Sequence, residues 1–376
     1  MKKIILIPPD GTFQRRDYSL YRIAKWLKNN GINTTLLYIE KEFLEIDTRL
    51  FDSVVKKENL EDIVKHLEMH SYDKILHRSW MHSYDFSALL VEKFENVIIN
   101  IKDWNFAPKN VYEFLFPNSA DHVSIEYIFQ NAELILSHFT QEQSLLWAKE
   151  YKTDSSKFIT FPEYCNSASF NEKPFLAYEN IKLVYAGVIS PTVYNEDYFP
   201  NKAHLRSIKK LTKEQISIDF VMPEPVYEKM YTSEYFLYHD FMYEHEFNKY
   251  FSLVKGKILD ASILNQYHFG FFELETSGLN HDLYKYAITS KFAFYLEAGL
   301  PILINKKFVS IARLVEKYQL GIVFSNDDLD YMTKVLSISQ SKYDSFVENI
   351  AQYRKKFTYS AEQLEIIFEK RYYESN

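Results

Sequence analysis

Two successive series of short apolar runs, each run followed by a helical pattern, limit the folds open to this chain. The first run, Ile4–Ile7, has the length of a buried strand and is too short for a buried helix. Apolar residues then recur at helical spacing up to Asn29-Asn30-Gly31, and a second run, Thr34–Ile39, follows. Because parallel strands need such a crossover, this βαβ opening predicts a parallel sheet.

The alternation is interrupted once, where residues 162 to 180 are polar and irregular. Strand-like runs resume at Ile181–Tyr185, so we place a domain boundary in the interruption. Two domains suit a chain of 376 residues, which exceeds the usual size of a single core. Further runs predicted as strands are 73–76, 97–100, 134–136, 158–160, 216–221, 235–238, 302–304 and 322–324.

Composition and charge exclude several classes of protein. The net charge of −7 argues against nucleic acid as the main partner, because phosphate binding draws on a basic surface. The single cysteine, Cys165, excludes an internal disulfide and a Cys-based zinc site and fits a reducing cytoplasm. No run approaches the roughly 18 apolar residues of a transmembrane helix. We predict a cytoplasmic protein and leave open peripheral contact with the inner face of a membrane.

The chain has eight glycines and lacks the glycine-rich motifs of several enzyme classes. Neither a dinucleotide-binding G-x-G-x-x-G nor a P-loop occurs. The H-E-x-x-H pattern of zinc proteases and the G-x-S-x-G elbow of serine hydrolases are also missing. We assign no metal site.

The segment Tyr284–Asn305 combines an expected helix start with a positive charge. Ser290 is a suitable N-cap, and apolar residues at helical spacing follow it. The free N–H groups and dipole at a helix start bind phosphates, and Lys291 adds a full charge. We predict that Ser290 and Lys291 bind a nucleotide diphosphate and that Tyr284 donates to a phosphate. The alternative is an ordinary capped helix with a solvated lysine and a packed tyrosine.

The pattern S-K-F-x-x-Y-L-x-A-G-x-P over residues 290–301 resembles the donor-binding segment of many GT-B glycosyltransferases. Its continuation over 311–324 and the stretch Lys182–Ser190 are similar to the same family, and Phe269-Gly270-Phe271 precedes them in the expected place. The likeness is to bacterial sugar transferases of the galactofuranosyltransferase-like type and covers about residues 181–335.

This resemblance implies an α/β protein of the GT-B fold, with two Rossmann-like domains facing a central cleft. The acceptor-binding domain would span residues 1–170 and the nucleotide-sugar-binding domain residues 171–345. Helices over 346–376 would pack back toward the N-terminal domain.

Four further donor-site residues follow from the same resemblance. The loop of Gly187 and Ser190 would face the donor phosphates, since Gly187 permits close approach and Ser190 offers a hydroxyl. Tyr243 and Glu244, which follow a predicted strand, would contact the nucleobase. The alternatives are a plain βα turn for the first pair and an exposed helix start for the second.

Two aspartates follow predicted strands of the N-terminal half, where cleft residues gather. An inverting transferase needs a general base to deprotonate the acceptor hydroxyl, and Asp103 and Asp10 are the candidates. Either aspartate would otherwise cap a helix or form a turn.

The chain also departs from the broader family. Many retaining GT-B enzymes carry a ribose-binding glutamate five residues before the motif glycine, where this chain has Phe294. Glu297 lies on a different helix face and is not given that role. The retaining or inverting outcome therefore stays open.

We predict a hexosyltransferase-type enzyme of bacterial polysaccharide biosynthesis that needs no metal or other cofactor. It would move a sugar from a nucleotide diphosphate to a glycan, glycolipid or protein hydroxyl. Two alternatives remain: a GT-B-like sugar-nucleotide epimerase, and a non-catalytic GT-B-like subunit that binds a partner transferase or an acceptor. The sequence identifies neither the sugar, the nucleobase nor the acceptor, and it leaves open a homo-oligomer.

Overall fold

The computed structural model describes residues 2–9, 18–39, 48–80, 83–102, 104, 121–189, 201–256, 260–273 and 284–369. Within these residues a first sheet contains β1 Lys3–Ile7, β2 Asn33–Ile39, β3 Ser53–Lys57, β4 Lys74–Ser79, β5 Val97–Ile101, β6 Leu134–Ser137 and β7 Phe158–Thr160. All neighbouring strands pair in parallel, in the order β3-β2-β1-β4-β5-β6-β7.

A second sheet contains β8 Lys182–Ala186, β9 Ser217–Pro223, β10 Phe251–Gly256, β11 Phe269–Phe272, β12 Ile302–Asn305 and β13 Gly321–Phe324. Its strands are also parallel, in the order β10-β9-β8-β11-β12-β13. Parallel strands are covered on both faces, which explains why their sequences are nearly continuous apolar runs.

Helices cross over between the strands. In the N-terminal part they are α1 Tyr18–Asn29, α2 Leu60–Met69, α3 Tyr84–Lys93, α4 Asp121–Asn131 and α5 Gln141–Glu150. The remaining described helices are α6 Asn201–Lys213, α7 Glu224–Tyr231, α8 His239–Phe247, α9 Ser290–Glu297, α10 Val309–Tyr318, α11 Met332–Val335, α12 Gln340–Lys356 and α13 Ala361–Glu369. None of the helices in the described part of the chain has the length and apolar character needed to span a membrane.

The chain divides into two compact units that each contain one sheet. The N-terminal unit comprises Met1–Glu163 and Tyr359–Asn376, and the C-terminal unit is Tyr164–Thr358. These limits differ from the predicted boundaries at residues 170 and 345. Helix α12 lies wholly in the C-terminal unit because Ile350 and Tyr353 pack in its core.

Each sheet has one point at which the strand order changes direction. In the first sheet it lies between β1 and β4, and in the second between β8 and β11. The loops that leave such neighbouring strands run to opposite faces of the sheet and open a crevice at the carboxyl ends of the strands. Ligands of parallel α/β sheets bind in that crevice, so these two positions are where functional residues are expected.

Tyr295 of helix α9 lies between the separating ends of β8 and β11, at the crevice of the second sheet. Strands β8 and β11 pair only as far as Val184 and Gly270, although both continue for two more residues. There the buried Tyr295 hydroxyl accepts from the Ala186 N–H and donates to the Val184 carbonyl, both at 3.0 Å. A Cβ on Gly270 would lie 2.4 Å from the Tyr295 ring, so the glycine makes room for it.

Two local predictions are wrong. Residues Tyr235–Tyr238 form a 3-10 helix rather than a strand, because β9 pairs directly with β10 and leaves no place for a strand between them. Ser290 is the first helical residue of α9, and Thr289 rather than Ser290 is the N-cap. Residues 235–238 form a run of four apolar residues, which fits either a strand or a helix, so the length of the run could not decide between the two.

We expect Tyr295→Phe to lower the free energy of unfolding by about 1–3 kcal/mol, because it leaves the buried Ala186 N–H without an acceptor. Urea unfolding followed by circular dichroism measures the change. The control Tyr331→Phe, at a side chain that is 67% exposed, should stay within about 0.5 kcal/mol of the parent. Equal stability of the two variants would contradict the role of the Tyr295 hydroxyl.

Candidate functional site

The loop after β8 lies against helix α9. Gly187 has a φ of +154°, and its N–H donates to the Val221 carbonyl at 3.1 Å. A Cβ at this position would lie 3.3 Å from Cε of Lys291 and 3.6 Å from the Tyr185 ring. The structure therefore brings together Gly187 and Lys291, which the sequence predicts as parts of one phosphate site.

Lys291 is held on an aromatic ring. Its Nζ lies 3.2 Å from the centroid of the Tyr185 ring and 5.5 Å from that of Phe272. No carboxylate or hydrogen-bond acceptor is paired with this half-buried lysine among the described residues. Burial lowers the pKa of Lys291 well below its ordinary value, because the charged form loses hydration there. An anion bound beside Lys291 would favour its charged form.

The start of α9 adds backbone donors beside this lysine. The first N–H groups of a helix have no partner within the helix, and they lie at its positive dipole end. The Thr289 hydroxyl does not cap α9 and is buried without a hydrogen-bond partner in the described part of the chain. Ser290 is exposed, as a ligand-facing hydroxyl must be. Thr289 was missed by sequence reasoning because the cap was assigned one residue late.

Tyr284 and His204 complete the surroundings of Tyr185. Burial raises the pKa of Tyr185, and the neighbouring Tyr284 adds to this effect. Tyr284 is half-buried, with its ring 6.2 Å from that of Phe308. The His204 ring meets Tyr185 edge-on at 4.7 Å, and burial, together with the charge of Lys291, lowers the pKa of His204 to about 3. His204 is therefore neutral at physiological pH.

Tyr243 and Glu244 have none of the contacts described above for Lys291 and Gly187. They lie on α8, which leads into the amino end of β10, whereas Gly187 follows the carboxyl end of β8. The Glu244 carboxylate accepts from the Asn248 amide at 3.0 Å and lies 3.6 Å from Nζ of Lys209. Of the other candidates, Asp10, Asp103 and Ser190 lie outside the described residues.

A buried polar network at the same sheet edge was not foreseen. Nδ2 of Asn305, at the end of β12, donates to Glu273 at 2.9 Å and to Asn326 at 2.5 Å. Glu273 directly follows the apolar strand β11, and Asn305 ends the apolar strand β12. Both polar residues are fully buried. A polar residue at the end of an apolar run was the available signal, but only the strand order shows that these runs are neighbours.

The glutamate of the family-like segment has a structural partner. Glu297 is buried, and its carboxylate accepts from the Asn166 N–H at 2.6 Å. This bond ties the start of the C-terminal unit to the end of α9, and it fits the sequence argument that Glu297 has no ribose role.

Residues 228–361 match the family model described as glucosyltransferase 3-like, C-terminal domain. The match covers less than half of the chain and includes α9 with Lys291, but it begins after Gly187. No curated protein matches the chain by sequence.

Several solved glycosyltransferases resemble the protein over nearly its whole length. HepE of Anabaena, in complex with UDP and glucose, has a TM-score of 0.66 at 11% identity, with 98% of both chains covered. An α-glucosyltransferase in complex with UDP and DNA has a TM-score of 0.60 at 14% identity, with 98% of this chain and 99% of the other covered. WaaG, a glycosyltransferase involved in lipopolysaccharide biosynthesis, has a TM-score of 0.57 at 13% identity, with 98% and 100% covered. The predicted GT-B fold, with two parallel α/β domains, is thereby confirmed.

We expect Lys291→Met to be at least as stable as the parent near neutral pH, because methionine removes an amine whose charged form has no acidic partner among the described residues. The depressed pKa means that the unfolded chain binds this proton more readily than the folded one. The parent's stability should therefore rise with pH between that pKa and the ordinary value of 10.5, and the variant should lack this rise.

Thermal unfolding at about pH 7 and about pH 9.5 measures both effects. Lys317→Met, at an exposed lysine of α10, is the matched control. A large loss of stability at neutral pH in Lys291→Met alone would show that the lysine has a structural anionic partner.

Proposed function

We propose that this protein is a glycosyltransferase that uses a nucleotide-sugar donor and binds the donor diphosphate at Lys291, Gly187 and the start of α9. One observation carries the proposal. The ammonium group of Lys291 is seated on the Tyr185 ring and has no acidic partner among the described residues.

A diphosphate suits this arrangement for three physical reasons. A diphosphate favours the protonated form of Lys291, whose positive charge can then make a strong charge-assisted hydrogen bond in this half-buried setting. The α9 N–H groups and dipole add partial positive charge, and Gly187 lets a phosphate approach the backbone closely. The same groups would stabilise the charge that develops on the leaving diphosphate during transfer.

Hydroxyl groups would complete the donor contacts. The buried Thr289 hydroxyl lacks a partner in the described part of the chain, and an exposed Ser290 hydroxyl lies next to it. Tyr284 lies close enough to Tyr185 to influence its pKa, so its hydroxyl belongs to the same neighbourhood. Ser190 would follow Gly187 toward the phosphates, as the sequence resemblance implies.

UDP-glucose is the donor that we propose to test first. HepE and the α-glucosyltransferase were both solved with UDP, and the family model is named for a glucosyltransferase. Lys291 supplies the charge that a metal supplies elsewhere, so we propose that donor binding needs no metal. Tyr243 and Glu244 remain nucleobase candidates by resemblance only.

The acceptor would be a hydroxyl of a glycan, glycolipid or protein, bound by the N-terminal domain. Asp103 and Asp10 are the proposed general bases, because each follows a strand of the first sheet on its carboxyl side. A role in bacterial polysaccharide synthesis would place the enzyme in the cytoplasm, with peripheral contact at the inner membrane face and a homo-oligomeric state as further features to test.

We expect UDP to protect residues 185–189 and 284–295 from hydrogen exchange in the presence of EDTA, because the proposed site needs no metal. Lys291→Met should weaken UDP binding about tenfold or more, since a charge-assisted bond is lost. Lys317→Met should bind UDP like the parent. Failure of UDP, GDP and TDP alike to protect these segments would overturn the donor assignment.

We expect Asp103→Asn to lower kcat about 100-fold or more while leaving UDP affinity nearly unchanged, because a general base acts in the transition state. UDP release from UDP-glucose, measured with and without acceptor, gives kcat for transfer and for hydrolysis, and calorimetry gives the affinity. Asparagine also caps turns well, so a kcat close to that of the parent would remove Asp103 from the mechanism and leave Asp10 as the candidate.

A further inference from the structure

A buried polar group lies at the carboxyl ends of β4 and β5 in the N-terminal unit. The Arg78 guanidinium, near the end of β4, donates to the Asn100 side chain of β5 and, at 2.7 Å, to the hydroxyl of Ser19. All three residues are buried. They lie beside the crevice between β1 and β4, which is where a ligand of this sheet is expected.

Among the described residues, positive charge predominates around this group. We define the cationic cluster as Arg22, Arg78, Lys102 and Glu163, which contains three cations and one carboxylate. Burial alone would raise the pKa of Glu163, but Lys102, Arg22 and Arg78 outweigh it and the pKa lies below its ordinary value. One carboxylate is thus exposed to the field of three cations, in a chain whose net charge is −7.

Lys102 acts on Glu163 through its charge but makes no hydrogen bond with it among the described residues. Its Nζ lies 4.9 Å over the Trp80 ring, and it makes no hydrogen bond or ion pair within the described residues. The backbone of Lys102 is fixed, because its N–H donates to the Ser79 carbonyl at 3.0 Å and its carbonyl accepts from Tyr84 at 3.1 Å. The lysine is thus presented from a rigid strand end, in the way that Lys291 is presented on Tyr185 in the other unit.

We propose that the cationic cluster binds an anionic group, a phosphate or a carboxylate, carried by the acceptor. The inference rests on the proposed function only in taking the anion to be part of the acceptor. Lys102 would make the direct charge-assisted contact, with Trp80 offering an apolar face beside it. Arg22 and Arg78 would supply the surrounding positive field, because their charges exceed that of Glu163.

The experiment uses the full chain with its donor site saturated by UDP, so that added anions cannot occupy it. Glucose 1-phosphate, glucuronate and glucose are then titrated as phosphate-bearing, carboxylate-bearing and neutral probes. Calorimetry measures affinity, and hydrogen exchange reports protection of residues 76–80 and 97–102. We expect one or both charged sugars to bind and to protect these segments, and the difference between them identifies the anion.

Matched variants separate this site from the donor site. Lys102→Met should weaken binding of the charged sugar about tenfold or more, whereas Lys102→Arg should retain most of it. The control Lys93→Met, at an exposed lysine paired with Glu68, should bind like the parent. Lys291→Met should lose UDP affinity and keep the charged-sugar site. Unchanged UDP affinity in this variant would contradict the donor assignment without contradicting the role of Lys102.

Two outcomes would overturn the proposal. One is that neither charged sugar binds more tightly than glucose to the UDP-saturated protein. The other is that Lys102→Met binds the charged sugars as the Lys93→Met control does.

Discussion

At the carboxyl ends of β8 and β11, the Tyr295 hydroxyl makes the hydrogen bonds that the two separating strands no longer make with each other. Without it, the last N–H of β8 would be buried and unpaired, which costs more than the net worth of an ordinary hydrogen bond. The ring needs the space left by Gly270. Tyr295 also lies on α9, so the contact that opens the crevice fixes the helix that carries Lys291 into it.

Both units place a lysine on an aromatic ring at the end of a parallel strand, Lys291 on Tyr185 and Lys102 on Trp80. The ring positions the ammonium group and attracts it modestly, but it leaves the charge uncompensated. A carboxylate in a hydrogen-bonded pair would have satisfied either lysine; among the described residues Lys291 has none, and Lys102 acts on Glu163 without such a bond. An anion that enters such a site gains a strong contact and repays the cost of desolvating the cation.

Two residues of the candidate site could be predicted from the sequence because each is marked by its immediate neighbours. A lysine at the start of a helix and a glycine after a strand can both be read from neighbouring residues, and the structure brings Lys291 and Gly187 into contact. The roles of Tyr185 and of Glu273 with Asn305 could not be read in this way. Each depends on which strand lies next to which, and apolar runs carry no information about their order in a sheet.

The sequence by itself determined that the chain forms two parallel α/β domains, since strand and helix periods alternate twice along it. It also determined that a helix begins near Ser290 and ends before Pro301, through local capping and breaking residues. Only the tertiary structure decided the strand order, the separation of β8 and β11 at Tyr295, and the position of Lys291 on the Tyr185 ring. The physical reason is that burial and hydrogen bonding between distant segments, here Val184, Gly270 and Tyr295, arise only when the sheet assembles.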